Sequence, residues 1–204
     1  MEKEAMFKLS YGLFVLTSAL DGEDNGCIIN TATQVASEPD RISIAVNKAN
    51  YTQELIKESQ KFNLSILSEA ANFDIFRHFG FQSGRDTNKF ADYSNCKRSD
   101  NGLYYLTAGT NAYISATVKQ SIDLGTHMLF IATTEDMKVL SDIPSATYAY
   151  YQSAIKPKPT QTVSGKTAWR CTVCGYLYEG EELPTDFICP LCKHPASDFE
   201  KVTV

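Results

Sequence analysis

The chain has 204 residues, with 24 acidic against 19 basic side chains, a net charge of −5 and an apolar share of 43%. It is long and apolar enough to bury a sizeable core, and it lacks the low-hydrophobicity, high-charge profile of a disordered chain. The acidic balance argues against nucleic acid or an anionic membrane as a partner. Cysteine is distributed unevenly: Cys27 and Cys96 stand alone, while Cys171, Cys174, Cys189 and Cys192 crowd the last 34 residues.

The first apolar run, residues 9–20 (LSYGLFVLTSAL), is too short and too interrupted to span a bilayer, which takes about 20 apolar residues. The MEKEAMFK before it carries two Glu against two Lys, which disfavours a signal peptide. The better reading is an N-terminal helix running into a first strand. Without export the thiols stay reduced, which implies a cytoplasmic protein whose paired C-x-x-C units are metal ligands rather than disulfides.

Period-two alternation then predicts strands over residues 41–46, 62–67, 113–118 and 128–133, placing Ile42, Ile44 and Val46, or Phe62, Leu64 and Ile66, on one face. Asn50 opens a helix, with Gln53 three residues on in a capping-box pattern ahead of Leu55 and Ile56. Residues 69–79 form a second helix, with Phe73, Phe76 and Phe79 near helical spacing. Strands with turn signals and few helices make a mainly β fold, a barrel with peripheral helices. Within it, Lys48, Asn50 and Thr52 follow a strand and open a helix, an arrangement suited to an anion or, equally, to an ordinary helix cap. Ser83-Gly84-Arg85 and Lys89 read as a phosphate-facing loop or a solvated turn.

Residues 155–167 (IKPKPTQTVSGKT) are rich in Pro, Lys and hydroxyl side chains and read as an extended linker. The expected organisation is therefore 1–154, a linker over 155–167, and a second unit over 168–204. That last unit is too small for a self-sufficient core and calls for a staple such as a metal. Its two C-x-x-C pairs, separated by fourteen residues, offer four thiolates for one tetrahedral ion. Spacing alone favours zinc, because zinc ribbons are common. Cys27 and Cys96 have no partner at ligand spacing and read as buried structural thiols. His194 reads as a surface residue, since four thiolates already complete a shell.

The residues around the cysteines shift the metal assignment. WRCTVCGYLYEGEELPTDFICPLC, closed by Phe199, closely resembles rubredoxin in the short form that ends rubrerythrin-type proteins. That resemblance implies one iron on Cys171, Cys174, Cys189 and Cys192, with zinc as the alternative. Lys193 stands where that family usually has a glycine, and the gap between the pairs is shorter than in free-standing rubredoxin.

Residues from about 9 to 155, through YGLFVLTS, GCIINTATQVASEP, ISIAVNKANYTQELI, FRHFGFQSGRDTNKF and DLGTHMLFIA, resemble the FMN-binding split β-barrel of the flavin reductase family. The order of the two halves matches the fusions called high-molecular-weight rubredoxins. The resemblance implies that Asn30, Thr31, Ala32, Thr33 and Gln34 lie along the isoalloxazine ring. It puts Asn47, Lys48, Asn50 and Thr52 around the ribityl chain and phosphate, with Ser83, Gly84, Arg85 and Lys89 near the phosphate as well. His127, in a D-x-G-T-H segment, falls near flavin and nicotinamide and is the candidate catalytic residue; a satisfied strand histidine is the plain alternative. A homodimer is implied too.

These resemblances imply electron flow from NADH or NADPH through FMN to the tail iron, then to an acceptor such as a flavodiiron protein that reduces O2 or NO. A flavin accepts hydride and releases electrons singly, which suits a one-electron iron downstream. Two rivals stand beside it: a flavin or ferric reductase with an accessory metal tail, and a non-enzymatic flavin- or haem-binding module with a structural zinc ribbon. No G-x-G-x-x-G fingerprint chooses between NADH and NADPH.

Overall fold

The computed structural model describes residues 2–157, 167–172, 175–189 and 194–203. After a 3-10 turn (Lys3–Lys8) the chain enters β1 (Phe14–Leu20), β2 (Glu23–Ile29), β3 (Ala32–Ser37) and β4 (Asp40–Asn47). Helix α1 (Tyr51–Ser59), β5 (Lys61–Leu67) and helix α2 (Phe73–Gly80) follow. Then come the short pair β6 (Cys96–Arg98) and β7 (Tyr104–Leu106), and the two long strands β8 (Thr110–Asp123) and β9 (His127–Val139). A helical turn at Tyr148–Tyr150 continues as a wider turn over Tyr151–Ile155. Seven strands form one antiparallel sheet in the order β2-β1-β5-β8-β9-β4-β3. The fold is mainly β with peripheral helices.

Alternation accounts for the packing. Phe14 and Leu16 of β1 join one core with Ile42, Ile44, Val46, Phe62, Leu64, Phe130 and Ala132, closed by Ile56 from α1. Leu13 and Val15, on the opposite face, join a second core with Leu67, Ile75, Phe76, Phe79 and Phe90. β1 is therefore buried on both sides, which is why its stretch of sequence reads as a nearly unbroken apolar run.

The four predicted strands are present, and all four run longer than expected, extended by the pairing of their neighbours. Helix α1 is capped as expected, with Asn50 Oδ1 accepting the Thr52 N–H at 3.1 Å. Helix α2 differs from expectation. It begins at Phe73 rather than at residue 69, because Asn72 caps it by accepting the Ile75 N–H at 3.3 Å. Ahead of that cap, Ser68 and Glu69 are held by Gly109 and Pro144 carbonyls.

β5 carries a second departure from simple alternation. Asn63 and Ser65, on what should be its polar face, are completely buried. The Asn63 amide donates to Ser99 Oγ at 2.7 Å and the Leu103 carbonyl at 3.0 Å, and its oxygen accepts from the Asn101 side chain at 2.8 Å. A polar plug thus fastens the β6–β7 segment over the sheet. Among the described residues no helix is long and apolar enough to cross a membrane.

In the tail unit, β10 (Thr167–Cys171), β11 (Leu177–Glu179) and β12 (Phe199–Thr203) pair as β11-β10-β12. Most of the expected linker lies outside the described residues. At its start, Ile155 packs against the second core instead of leaving the domain.

Replacing Asn63 by Ala strips a buried network of its central amide and leaves buried groups unpaired, at about 1–3 kcal/mol. Chemical denaturation of Asn63→Ala should show a lowered midpoint with an unchanged slope.

Candidate functional site

Three elements meet at one end of the sheet: the outer part of β2, the β4–α1 junction, and the loop leaving α2. Between them lies a cavity of about 440 Å³ lined by Cys27, Asn47, Asn50, Tyr51, Phe79, Ser83, Gly84 and Lys89, among others. Sequence reasoning singled out five of these eight; Cys27, Tyr51 and Phe79 were not among its ligand-binding candidates.

Lys89 is the centre of charge. It is only 3% exposed, and its ammonium donates to the Gly26 carbonyl at 2.8 Å and the Phe79 carbonyl at 3.1 Å. Those two bonds use two of three donors. Burial disfavours the charged form and lowers the Lys89 pKa to about 8. Cys27 is buried beside it, and desolvation raises its thiol pKa against the opposing pull of Thr52 and Lys89. Cys27 is thus a buried thiol as expected. Cys96 is only half-buried, bonded to the Tyr93 carbonyl at 3.0 Å.

Behind the cavity wall stands Asn25, which is 1% exposed. Its amide donates to Thr52 Oγ1 at 3.1 Å, while among the described residues its Oδ1 has no hydrogen-bond partner. Gly84 presses directly on this side chain, so that a Cβ at position 84 would collide with it. Main chain can therefore approach the cavity at Gly84 where a larger residue would fill it. A buried cation, an unsatisfied amide oxygen, a glycine approach and the N-terminus of a nine-residue helix suit a ligand carrying a phosphate and hydroxyl groups.

Other candidates lie elsewhere. Lys48 is paired with Asp123 at 2.5 Å on the surface, and Lys48 is the largest cause of the lowered Asp123 pKa. Arg85 pairs with Glu54 and lies over the Tyr51 ring at 4.9 Å. Thr52 is fully buried behind the cavity, where it bonds Asn25 and opposes the desolvation that raises the pKa of Cys27. Asn30 and Thr31 line a separate cavity of about 720 Å³ with Tyr11 and Tyr148. Ala32, Thr33 and Gln34 line a third, of about 380 Å³, walled by Phe14, Leu64 and Ile114. His127 pairs in register with Asn47 and is half-buried, with Nδ1 2.9 Å from Thr126 Oγ1. One strand path from Cys27 to Gln34 thus passes three cavities in turn.

In the tail, Cys171 and Cys189 are buried in one cluster with Phe199, against which Trp169, Tyr176, Tyr178 and Phe187 pack. Gly175, at φ +81°, donates to the Cys171 carbonyl at 2.9 Å, and the Cys189 N–H donates to the His194 carbonyl at 2.8 Å. Cys174, Cys192 and Lys193 lie outside the described residues, among which no group of three or more metal-ligating side chains forms. Two buried thiols in an aromatic shell are the donor type that soft thiolate sites for iron or zinc use.

Comparison with known proteins matches residues 6–158 to the flavin reductase like domain and residues 169–200 to the rubrerythrin, rubredoxin-like domain. The chain is 36% identical to the high molecular weight rubredoxin of Moorella thermoacetica, over 99% of this chain and 100% of that one. It is also 36% identical to the ferric-chelate reductase (NAD(P)H) of Archaeoglobus fulgidus, over 80% of this chain and 96% of that one. Among solved structures, NADH:FAD oxidoreductase SgcE6 of Streptomyces globisporus shares the fold with a TM-score of 0.64 at 18% identity, covering 71% of this chain and 85% of that one. The chain belongs to the flavin reductase-like oxidoreductases and joins that domain to a rubredoxin-type one.

Proposed function

We propose that this protein takes electrons from NADH or NADPH, by way of FMN, to a rubredoxin-type iron and on to an acceptor protein, such as a flavodiiron reductase of O2 or NO. The observation that carries this reading is the Lys89 cavity, which borrows part of its wall from the tail: His194 lines it together with Asn47, Asn50 and Gly84. We read the chain as a split-barrel domain over 1–154, a linker over 155–167 and a rubredoxin-like domain over 168–204, working as a cytoplasmic homodimer. The names of the two curated relatives, a rubredoxin and an NAD(P)H-dependent reductase, support it.

In this reading Lys89 and the α1 N-terminus would hold the FMN phosphate, and Gly84, backed by the Asn25 side chain, would admit it. Asn47, Asn50 and Ser83 take its hydroxyl-bearing chain. Residues 30–34 continue along the same strand path toward the ring, with Lys48, Thr52 and Arg85 supporting from behind and beside. His127, next to Asn47, stands at the open end where a nicotinamide would approach. Bound FMN supplies hydride acceptance and single-electron release, and an iron on the four tail thiolates supplies a one-electron exit. Hydride transfer would need no protein acid or base, so the side chains would serve to position the groups and exclude water.

Lys89→Met removes a charge-assisted contact of about 1.5–3 kcal/mol, so FMN should bind roughly 10- to 100-fold more weakly by fluorescence titration. Gly84→Ala should weaken it as well, by driving a methyl group into Asn25. Affinity should fall as pH rises above about 8, where Lys89 loses its proton. The flavin-free protein should show the opposite slope in stability. Between about pH 8 and the ordinary lysine range the unfolded chain binds more protons than the folded one, so stability rises with pH there and the burial penalty is fully felt below it.

The reading as a whole is tested by the absorption spectrum of the purified protein under nitrogen, before and after NADH. Flavin and iron–thiolate bands that both bleach support it; stoichiometric zinc with no iron–thiolate band overturns it. The Archaeoglobus relative favours a second reading, ferric or flavin reduction with an accessory tail. Under that reading Cys171→Ser would leave the rate of acceptor reduction unchanged, whereas the relay requires that rate to collapse.

A further inference from the structure

Phe81 belongs to two sites at once. It is the first residue beyond α2, its ring lies 5.8 Å from that of Phe73, and it lines the Lys89 cavity. The same side chain also packs into the tail cluster around Cys171, Cys189 and Phe199. His194, whose carbonyl receives the Cys189 N–H, reaches the cavity from the other side. A third contact lies apart from both: Lys156 Nζ donates to the carbonyl of Thr172, the residue after Cys171, at 2.7 Å. The tail is therefore held at two places, its Cys171–Cys189–Phe199 cluster by an apolar side chain and Thr172 by a charged donor.

We propose that these contacts form a docking surface on which the rubredoxin-like unit closes the mouth of the Lys89 cavity, with Phe81 as the positioning residue between cavity and cysteines and Lys156 as the latch. The chemistry suits a reversible contact. One half-buried aromatic ring and one exposed hydrogen bond make a small interface, of the kind that opens and closes rather than one that fixes two domains permanently. Such a surface places the ring that borders the cavity against the cluster that contains Cys171 and Cys189. It also makes cavity and tail interdependent: anything that fills the cavity meets His194, and anything that lifts the tail opens the cavity. The functional weight of the surface rests on the cavity being the flavin site, but the docking itself does not require a flavin.

Trp169, the only tryptophan in the chain, sits in the tail cluster and reports on docking directly. The full chain loaded with zinc, which avoids quenching by iron, is titrated with FMN while Trp169 emission is followed and bound FMN is measured by dialysis. In the wild type, bound FMN should quench most of the emission by energy transfer. In Lys156→Ala, a surface change outside the cavity, the emission at equal FMN occupancy should recover at least twofold, and Phe81→Leu should recover less than Phe81→Ala. Equal quenching in the wild type and Lys156→Ala at equal occupancy overturns the proposal. Hydrogen exchange on the flavin-free, zinc-loaded chain provides a second reading. Lys156→Ala should release protection in residues 79–84 and 171–176 together, and unchanged protection in both overturns docking. Failure of the wild type to bind FMN would instead overturn the cavity assignment, leaving the exchange experiment to decide docking alone.

Discussion

The ammonium of Lys89 is the point on which the architecture around the cavity depends. A lysine that is almost wholly buried can keep its charge only if carbonyl dipoles replace water, and two of them converge on it: Gly26 from β2 and Phe79 from the last turn of α2. The cation therefore pins an edge strand to a helix end that would otherwise share few polar contacts. Gly26 has no room for a side chain there, since a Cβ would lie 3.2 Å from the Leu16 carbonyl and from the Phe79 ring. Phe79 in turn packs on Phe90 and Tyr93, which holds the residues flanking Lys89 in place. Charge, glycine and aromatic cluster form one unit, and a buried cation with a donor to spare is a costly arrangement unless an anion comes to meet it.

Much of the fold was legible in the sequence, because strands that turn alternate residues into an apolar core leave a period-two record. Ile42, Ile44 and Val46 announce β4 unambiguously. β2 was not legible: Glu23–Ile29 reads EDNGCII, and Asn25 and Gly26 are turn formers by propensity. They are in a strand because Asn25 bonds Thr52 and Gly26 lets the strand lie close to the Leu16 carbonyl and the Phe79 ring, so tertiary contact overrides local preference. The start of α2 was misplaced for a related reason. Residues 69–71 carry helix-compatible side chains, but their backbone is bonded to other loops before Asn72 can cap.

The site was legible as a set of segments and not as a geometry. Asn47, Asn50, Ser83, Gly84 and Lys89, far apart in sequence, do gather at one cavity, whereas Lys48 and Arg85 spend their charge on surface carboxylates. Nothing in the sequence distinguishes a lysine that will be buried from one that will be solvated; the Phe90 that follows Lys89 is the only hint, and a weak one. The four-cysteine pattern behaved oppositely. Its spacing points to the rubredoxin-like unit that the family comparison matches, but it says nothing of Phe81, a residue ninety positions upstream that packs into the same cluster.

The polar plug beneath β6–β7 has a further consequence for how the molecule moves. Asn63 and Ser65 are sealed on one side of β5 while Phe62 and Leu64 are sealed on the other, and β5 lies in the interior of the sheet between β1 and β8. Opening that strand requires most of the domain to open with it. β2 and β3, at the two ends of the strand order, carry no such double cover on their outer margins, and the cavities follow their path. The cost of local opening should therefore grade from low at the rim to near the global value at β5. The cavity rims can open locally while the strand that organises them stays shut.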